Sequence, residues 1–336
     1  MTPFLQPFHM ALSVIGLGLV ACGPAEPEAP ATTTGSGTSP SQTATTPPST
    51  GTGTSTGTTL PVDCSTLPSG PLPRNLLTGL YAAEDLAFDN DGHDISHYQN
   101  ALFKQEYPPG DVTPFATTDG GPGGPASLRM LQDGDLVYAN VDTATLYRVT
   151  MDGQTTPLNS SLGYAMGIDI HMDGSVYLSD LLALLRIDPD TGDTVKLTEQ
   201  GDFNSANGIA FSADYRTLFL GTRDGVMQLP LDDDGLPTGP GTLFATTPMD
   251  GEILGMAVDQ CDNVYAIWEG THLYRWTADG QGPEVLIEAS ADAWMTNLQF
   301  GSGLGGWEAD RIYITDRNTS NPAFYELEAG VGDKPR

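Results

Sequence analysis

From residue 84 onward, large apolar residues alternate with small or polar ones, and the alternation returns at a near-constant interval. With Glu84, Ala126, Met166, Asn207, Leu254 and Thr296 as position zero, the steps between units are 42, 40, 41, 47 and 42 residues. Positions +2 and +4 are large and apolar in every unit, from Leu86/Phe88 and Leu128/Met130 through to Leu298/Phe300. Positions +1 and +3 are mostly small or polar, as in Gly167, Gly208, Ala210, Gly255 and Ala257. A period of two predicts a strand with one bulky and one tight face. Asp91-Gly92, Asp133-Gly134 and Asp173-Gly174 follow at +7/+8, with Asp214-Tyr215 and Cys261-Asp262 as variants. Asp-Gly between alternating runs signals a hairpin turn with φ > 0. A second strand follows each turn, as in LVYAN (136–140), VYLSD (176–180) and IYITD (312–316), and a third is visible in LYRVT (146–150) and LYRWT (273–277).

Six units of about 42 residues, each a meander of short strands, predict an all-β chain folded as a six-bladed β-propeller. The last unit ends on FYEL (324–327) without a fourth strand, and NLLTGL (75–80) is left over at the front to supply it. Such closure hides the strand edges that would otherwise template aggregation. A two-sheet sandwich offers no reason for the period.

The residues before the repeat divide in two. Met1–Cys22 contains the apolar run Ala11–Val20 and ends Leu19-Val20-Ala21-Cys22. It has the length of a signal-peptide core and is too short to span a bilayer. The ending resembles the bacterial lipobox, which implies lipidation of Cys22 and anchoring at the cell envelope, on the outer membrane or cell surface; the leader's first ten residues lack Lys and Arg. Residues 23–63 form a tether: 26 of residues 31–60 are Thr, Gly, Ser or Pro. Too little apolar surface is available there to offset ordering entropy, and a coil of that length spans roughly 35 Å. The propeller is expected over 64–336. With Cys22 lipidated, Cys64 and Cys261 remain in an oxidising compartment. The expectation is a disulfide between them; the alternative is two free thiols.

Charge narrows the function classes. The chain carries 13 Lys+Arg against 43 Asp+Glu, a formal net charge of -30. Non-specific nucleic-acid binding needs the opposite balance. A small-molecule ligand and a monomer are the expectations, with the membrane reached through the lipid. Propellers bind at an axial mouth where the inner strands begin, so position zero is where chemistry is sought. Glu84 and Asn207 are the oxygen-bearing candidates for a hard divalent cation there, with Ala126, Met166, Leu254 and Thr296 as pocket lining. A polar pair satisfied by loop backbone is the plainer reading.

The segments EDLAF (84–88), NGIAFS (207–212), GMAVD (255–259) and TNLQFG (296–301) resemble the gluconolactonase / senescence-marker-protein / luciferin-regenerating-enzyme family across about residues 75–335. That resemblance implies one Ca²⁺ or Zn²⁺ on the axis, held by a Glu, an Asn and an Asp, polarising a lactone carbonyl while the Asp acts as base. Glu84 and Asn207 match the first two ligands. The third falls on Leu254, and the family's additional Asn falls at Ala165-Met166-Gly167.

Asp250 and Glu252, in the longer fourth unit, are the candidates for a substitute base. His171 and His272 lack spaced partners, and DNDGHD (89–94) lacks the closing Glu of a calcium loop and reads as a hairpin turn. Two functions stay open: a divergent metal-dependent lactone or ester hydrolase with weak or no activity, and a non-catalytic propeller that binds a small molecule, glycan or protein.

Overall fold

The computed structural model describes residues 63–334, apart from 82–83, 99, 109, 119–123, 181–182, 200–201, 249, 291 and 318–322. The expected leader with Cys22, and the tether up to residue 62, lie outside the described residues. The described residues contain 24 strands, numbered in chain order, and no helix. They form six four-stranded antiparallel sheets, each but the last running outward in sequence order. This is the six-bladed propeller that the repeat predicts.

The innermost strands are β2 (Leu86–Phe88), β6 (Pro125–Met130), β10 (Ala165–Ile170), β14 (Ile209–Phe211), β18 (Ile253–Val258) and β22 (Met295–Phe300). Their +2 side chains Leu86, Leu128, Ile168, Ile209, Met256 and Leu298 are buried between blades. At +1 the glycines let neighbouring inner strands approach: a Cβ on Gly167 would lie 2.3 Å from the Asn207 carbonyl oxygen. The turns after these strands require the left-handed conformation. Gly92, Gly134 and Gly174 adopt it at φ 90, 93 and 88°, and the variant units place Tyr215 and Asp262 there, both at φ 61°. The fourth unit's extra residues form a loop pinned by the Leu231–Pro237 bridge.

Closure uses β1 (Arg74–Leu77), which pairs antiparallel with β24 (Ala323–Glu328), Leu76 opposite Tyr325. The predicted NLLTGL segment contributes its first three residues, with Arg74 added before them. The chain reaches β1 along blade five, where the Leu72 amide donates to the Leu286 carbonyl at 2.9 Å. Cys64 and Cys261 form a disulfide across 197 residues of sequence, Cα–Cα 5.8 Å. Cys261 lies in a turn at the far ends of the inner strands, so the chain enters the propeller on the face opposite the strand starts.

Candidate functional site at the axial mouth

Because the six inner strands run in the same direction along the axis, their starts meet at one end. All six position-zero residues line one cavity of about 320 Å³ there: Glu84, Ala126, Met166, Asn207, Leu254 and Thr296. Tyr164, Trp294, Glu252 and Arg317 complete much of its wall.

The polar residues are positioned largely through backbone. Thr315 Oγ1 donates to the Glu84 carbonyl at 3.2 Å, and the Asn207 amide donates to the Gly221 carbonyl at 2.9 Å. Ser179 Oγ donates to the Asn207 carbonyl. Thr296 Oγ1 is 2.9 Å from Thr315 Oγ1, already engaged. Carboxylates closing the second strands fix the rim loops. Asp180 accepts from the Gly163 amide at 2.8 Å and from the Tyr164 amide, and Asp316 accepts from the Trp294 amide at 3.0 Å. Tyr164 and Trp294 are thereby held on the rim, each nearly half exposed.

Arg317 decides what the mouth can hold. Its amide donates to the Trp294 carbonyl at 3.1 Å, its guanidinium lies 5.1 Å from the Trp294 ring centroid, and Nη1 pairs with Glu84 Oε1. Stacking on an indole while bonding a carboxylate suits the flat guanidinium. Glu84, the charged member of the expected ligand pair, therefore already faces a cation of the chain's own. Asn207 adds a neutral amide, and Leu254 has no ligand atom. These side chains do not fit a divalent cation, which needs several converging oxygens.

Nor do the substitute acids form a base there. Glu252 reaches the cavity wall, but its Oε1 accepts from Arg223 Nε at 2.9 Å and from Nη2. Asp250 lines an adjacent pocket with Asn204, Arg223 and Asp224 rather than the mouth. His171 is buried at the opposite end against Phe211 and Tyr215, and His272 lies in an outer strand with Nδ1 2.9 Å from Thr271 Oγ1. Asp89, Asp91 and His93 bring ligand atoms within 4.8 Å of one another. Asp89, however, accepts from the Asp91 and His93 amides at 2.9 and 2.8 Å and pairs with Lys104 at 3.0 Å. These bonds cap the hairpin turn.

A ring of six blades around a polar axial cup defines the class: a six-bladed β-propeller with its mouth at the inner-strand starts. Residues 166–318 match the family described as the SMP-30/Gluconolactonase/LRE-like region. That span is similar to the family and contains three of the four motif segments. Solved structures of similar fold include a gluconolactonase from Xanthomonas campestris (TM-score 0.64, 18% identity, 80% of this chain and 96% of that one). Others are regucalcin, a calcium-binding protein from Agrobacterium tumefaciens (0.63, 20%, 79% and 96%), and a luciferin-regenerating enzyme (0.61, 15%, 78% and 97%). At these identities the likeness is one of fold. No curated protein matches the chain in sequence.

Proposed function

We propose that this chain is a divergent gluconolactonase-like propeller, lipid-anchored at the cell envelope through Cys22, whose mouth binds a small molecule and has weak or no lactonase activity. The observation that carries the reading is the Arg317 guanidinium set against Glu84 and Trp294. A cation supplied by the chain stands where a family metal would need a free carboxylate, and Leu254 removes the third ligand. What remains is a cup with polar floor groups and aromatic walls, the usual make-up of a small-ligand site. Its rim is clear of the disulfide, which fastens the chain's entry point on the opposite face. The retained Glu84 and Asn207 favour the second reading, a metal-dependent hydrolase.

The test is lactone hydrolysis by the full chain with and without added Ca²⁺ or Zn²⁺, beside the double variant Leu254→Asp/Arg317→Ser. The parent is expected to be inactive and indifferent to metal, while the double variant frees Glu84 and restores a carboxylate. Metal-dependent turnover by the parent would replace this reading with the hydrolase. Release of the Cys22→Ser variant from the membrane fraction, or its failure to be processed, tests the anchor separately.

A further inference from the structure

A second set of charges lies on the axis at the end away from the mouth. Lys334, in the segment after blade six, is 5% exposed and places Nζ 2.9 Å from Asp169 Oδ2. Asp169 is also buried; its Oδ2 takes the Phe211 amide at 3.0 Å and its Oδ1 the Ile170 amide at 2.9 Å. Burial works against its ionised form, but the charges of Lys334 and Arg129 outweigh that and hold it below its ordinary value. Lysine is seldom buried without a built partner, because ordering its long side chain costs conformational entropy. Here the partner is built. Asp169 is a +3 residue, where blades four and five carry Ala210 and Ala257, small enough to leave a slot beside it. With Lys334 in place, the remaining void there is about 20 Å³, room for about one water. The approach is fixed as well: the Gln260 amide donates to the Gly332 carbonyl at 3.1 Å and Asp333 bridges to Asp259.

We propose that this slot is a receptor site for a primary alkylammonium group, filled in the intact protein by the chain's own Lys334, which closes the axial channel at the face opposite the mouth. The blades do not need a carboxylate at +3, since Ala, Arg and Gln occupy that position elsewhere; Asp169 and the tail lysine complement one another. The mouth is then a blind cup, entered from one side.

The test is chemical rescue in the full chain. Lys334→Ala should lower the thermal midpoint by several degrees, and n-butylammonium at millimolar concentration should raise the variant's midpoint but not the parent's, with n-butanol inert. An equal shift in both proteins, or none in the variant, overturns the proposal. Should the variant not fold, amine acylation of the parent read by mass spectrometry decides. The chain's lysines are Lys104, Lys196 and Lys334, and Lys334 should react at least roughly tenfold more slowly than exposed Lys196 while folded, and equally once unfolded. Equal rates in the folded protein would also overturn it.

Discussion

The two ends of the axis carry the same kind of contact in different surroundings. At the mouth, the Arg317 and Glu84 side chains are 44% and 23% exposed. At the opposite end, Lys334 and Asp169 are 4% and 8% exposed, and between the two ends Arg129 and Asp85, 2.7 Å apart, are 6% and 0% exposed. An exposed pair is screened and exchanges readily with water or an incoming ligand, whereas a buried pair cannot lose one member without stranding the other. The difference teaches which charges belong to the architecture and which are available to a ligand. The buried set, in which Lys334 also lies 4.0 Å from Asp333, fixes blades one to three and the segment after blade six, whereas the mouth pair is open to solvent.

The comparison breaks most easily at Asp85. Its carboxylate takes Arg129, the Leu128 amide at 2.8 Å and Ser127 Oγ at 3.0 Å. Asp85→Ala strands a buried guanidinium and should cost about 3–5 kcal/mol in urea unfolding. A loss under about 1 kcal/mol would make the buried pairs as dispensable as surface ones.

Blade one sharpens the contrast through pH. Asp94 sits where the other second strands have Leu136, Val176, Leu218, Val264 and Ile312, and burial pushes it up to about 8. Its Oδ2 accepts from Ser96 at 2.7 Å and Gln105 at 2.6 Å, while Oδ1 is buried without a partner. The folded state keeps a proton that the unfolded chain has released, so this group's stabilisation is present in acid and lost as pH rises toward 8. Burial pulls His97 down to about 4. Its contribution has the opposite sense, present above the unfolded value of about 6.5 and lost as pH falls toward 4. Between pH 6.5 and 8, Asp94 is thus the one of the two that titrates. Asp94→Asn should flatten a stability slope there of up to about 1.4 kcal/mol per pH unit. An unchanged slope would mean that Asp94 is ionised in the fold.

The smallest expected effect is at the mouth. Arg317→Ser should change stability by no more than about 1 kcal/mol, because the pair is partly solvated. A larger loss would move Arg317 from the ligand-accessible set to the architectural one.

What the sequence disclosed follows from what repeats. The six mouth positions were legible because one register places Glu84, Asn207 and Leu254 at the same height in different blades, and the Asp-Gly turns were legible because a positive φ leaves a compositional mark. Arg317 was not, since it follows the second strand of blade six at a place where the matching residues of other blades are as different as Val141, Arg223 and Glu269, and its meaning depends on Trp294 and Glu84 converging from other segments. Lys334 lies beyond the last unit, where no register applies. Asp94 did leave a signal, a carboxylate in a column otherwise aliphatic, and tabulating that column unit by unit would have found it.

The central claim is that the mouth holds Arg317 against Glu84 in place of a divalent cation. Calorimetric titration of the metal-stripped full chain with Ca²⁺ and with Zn²⁺, repeated on Glu84→Gln, tests it most directly. The account predicts no binding event in the parent that Glu84→Gln abolishes. One ion bound per chain, lost in Glu84→Gln and accompanied by lactone hydrolysis, would contradict it.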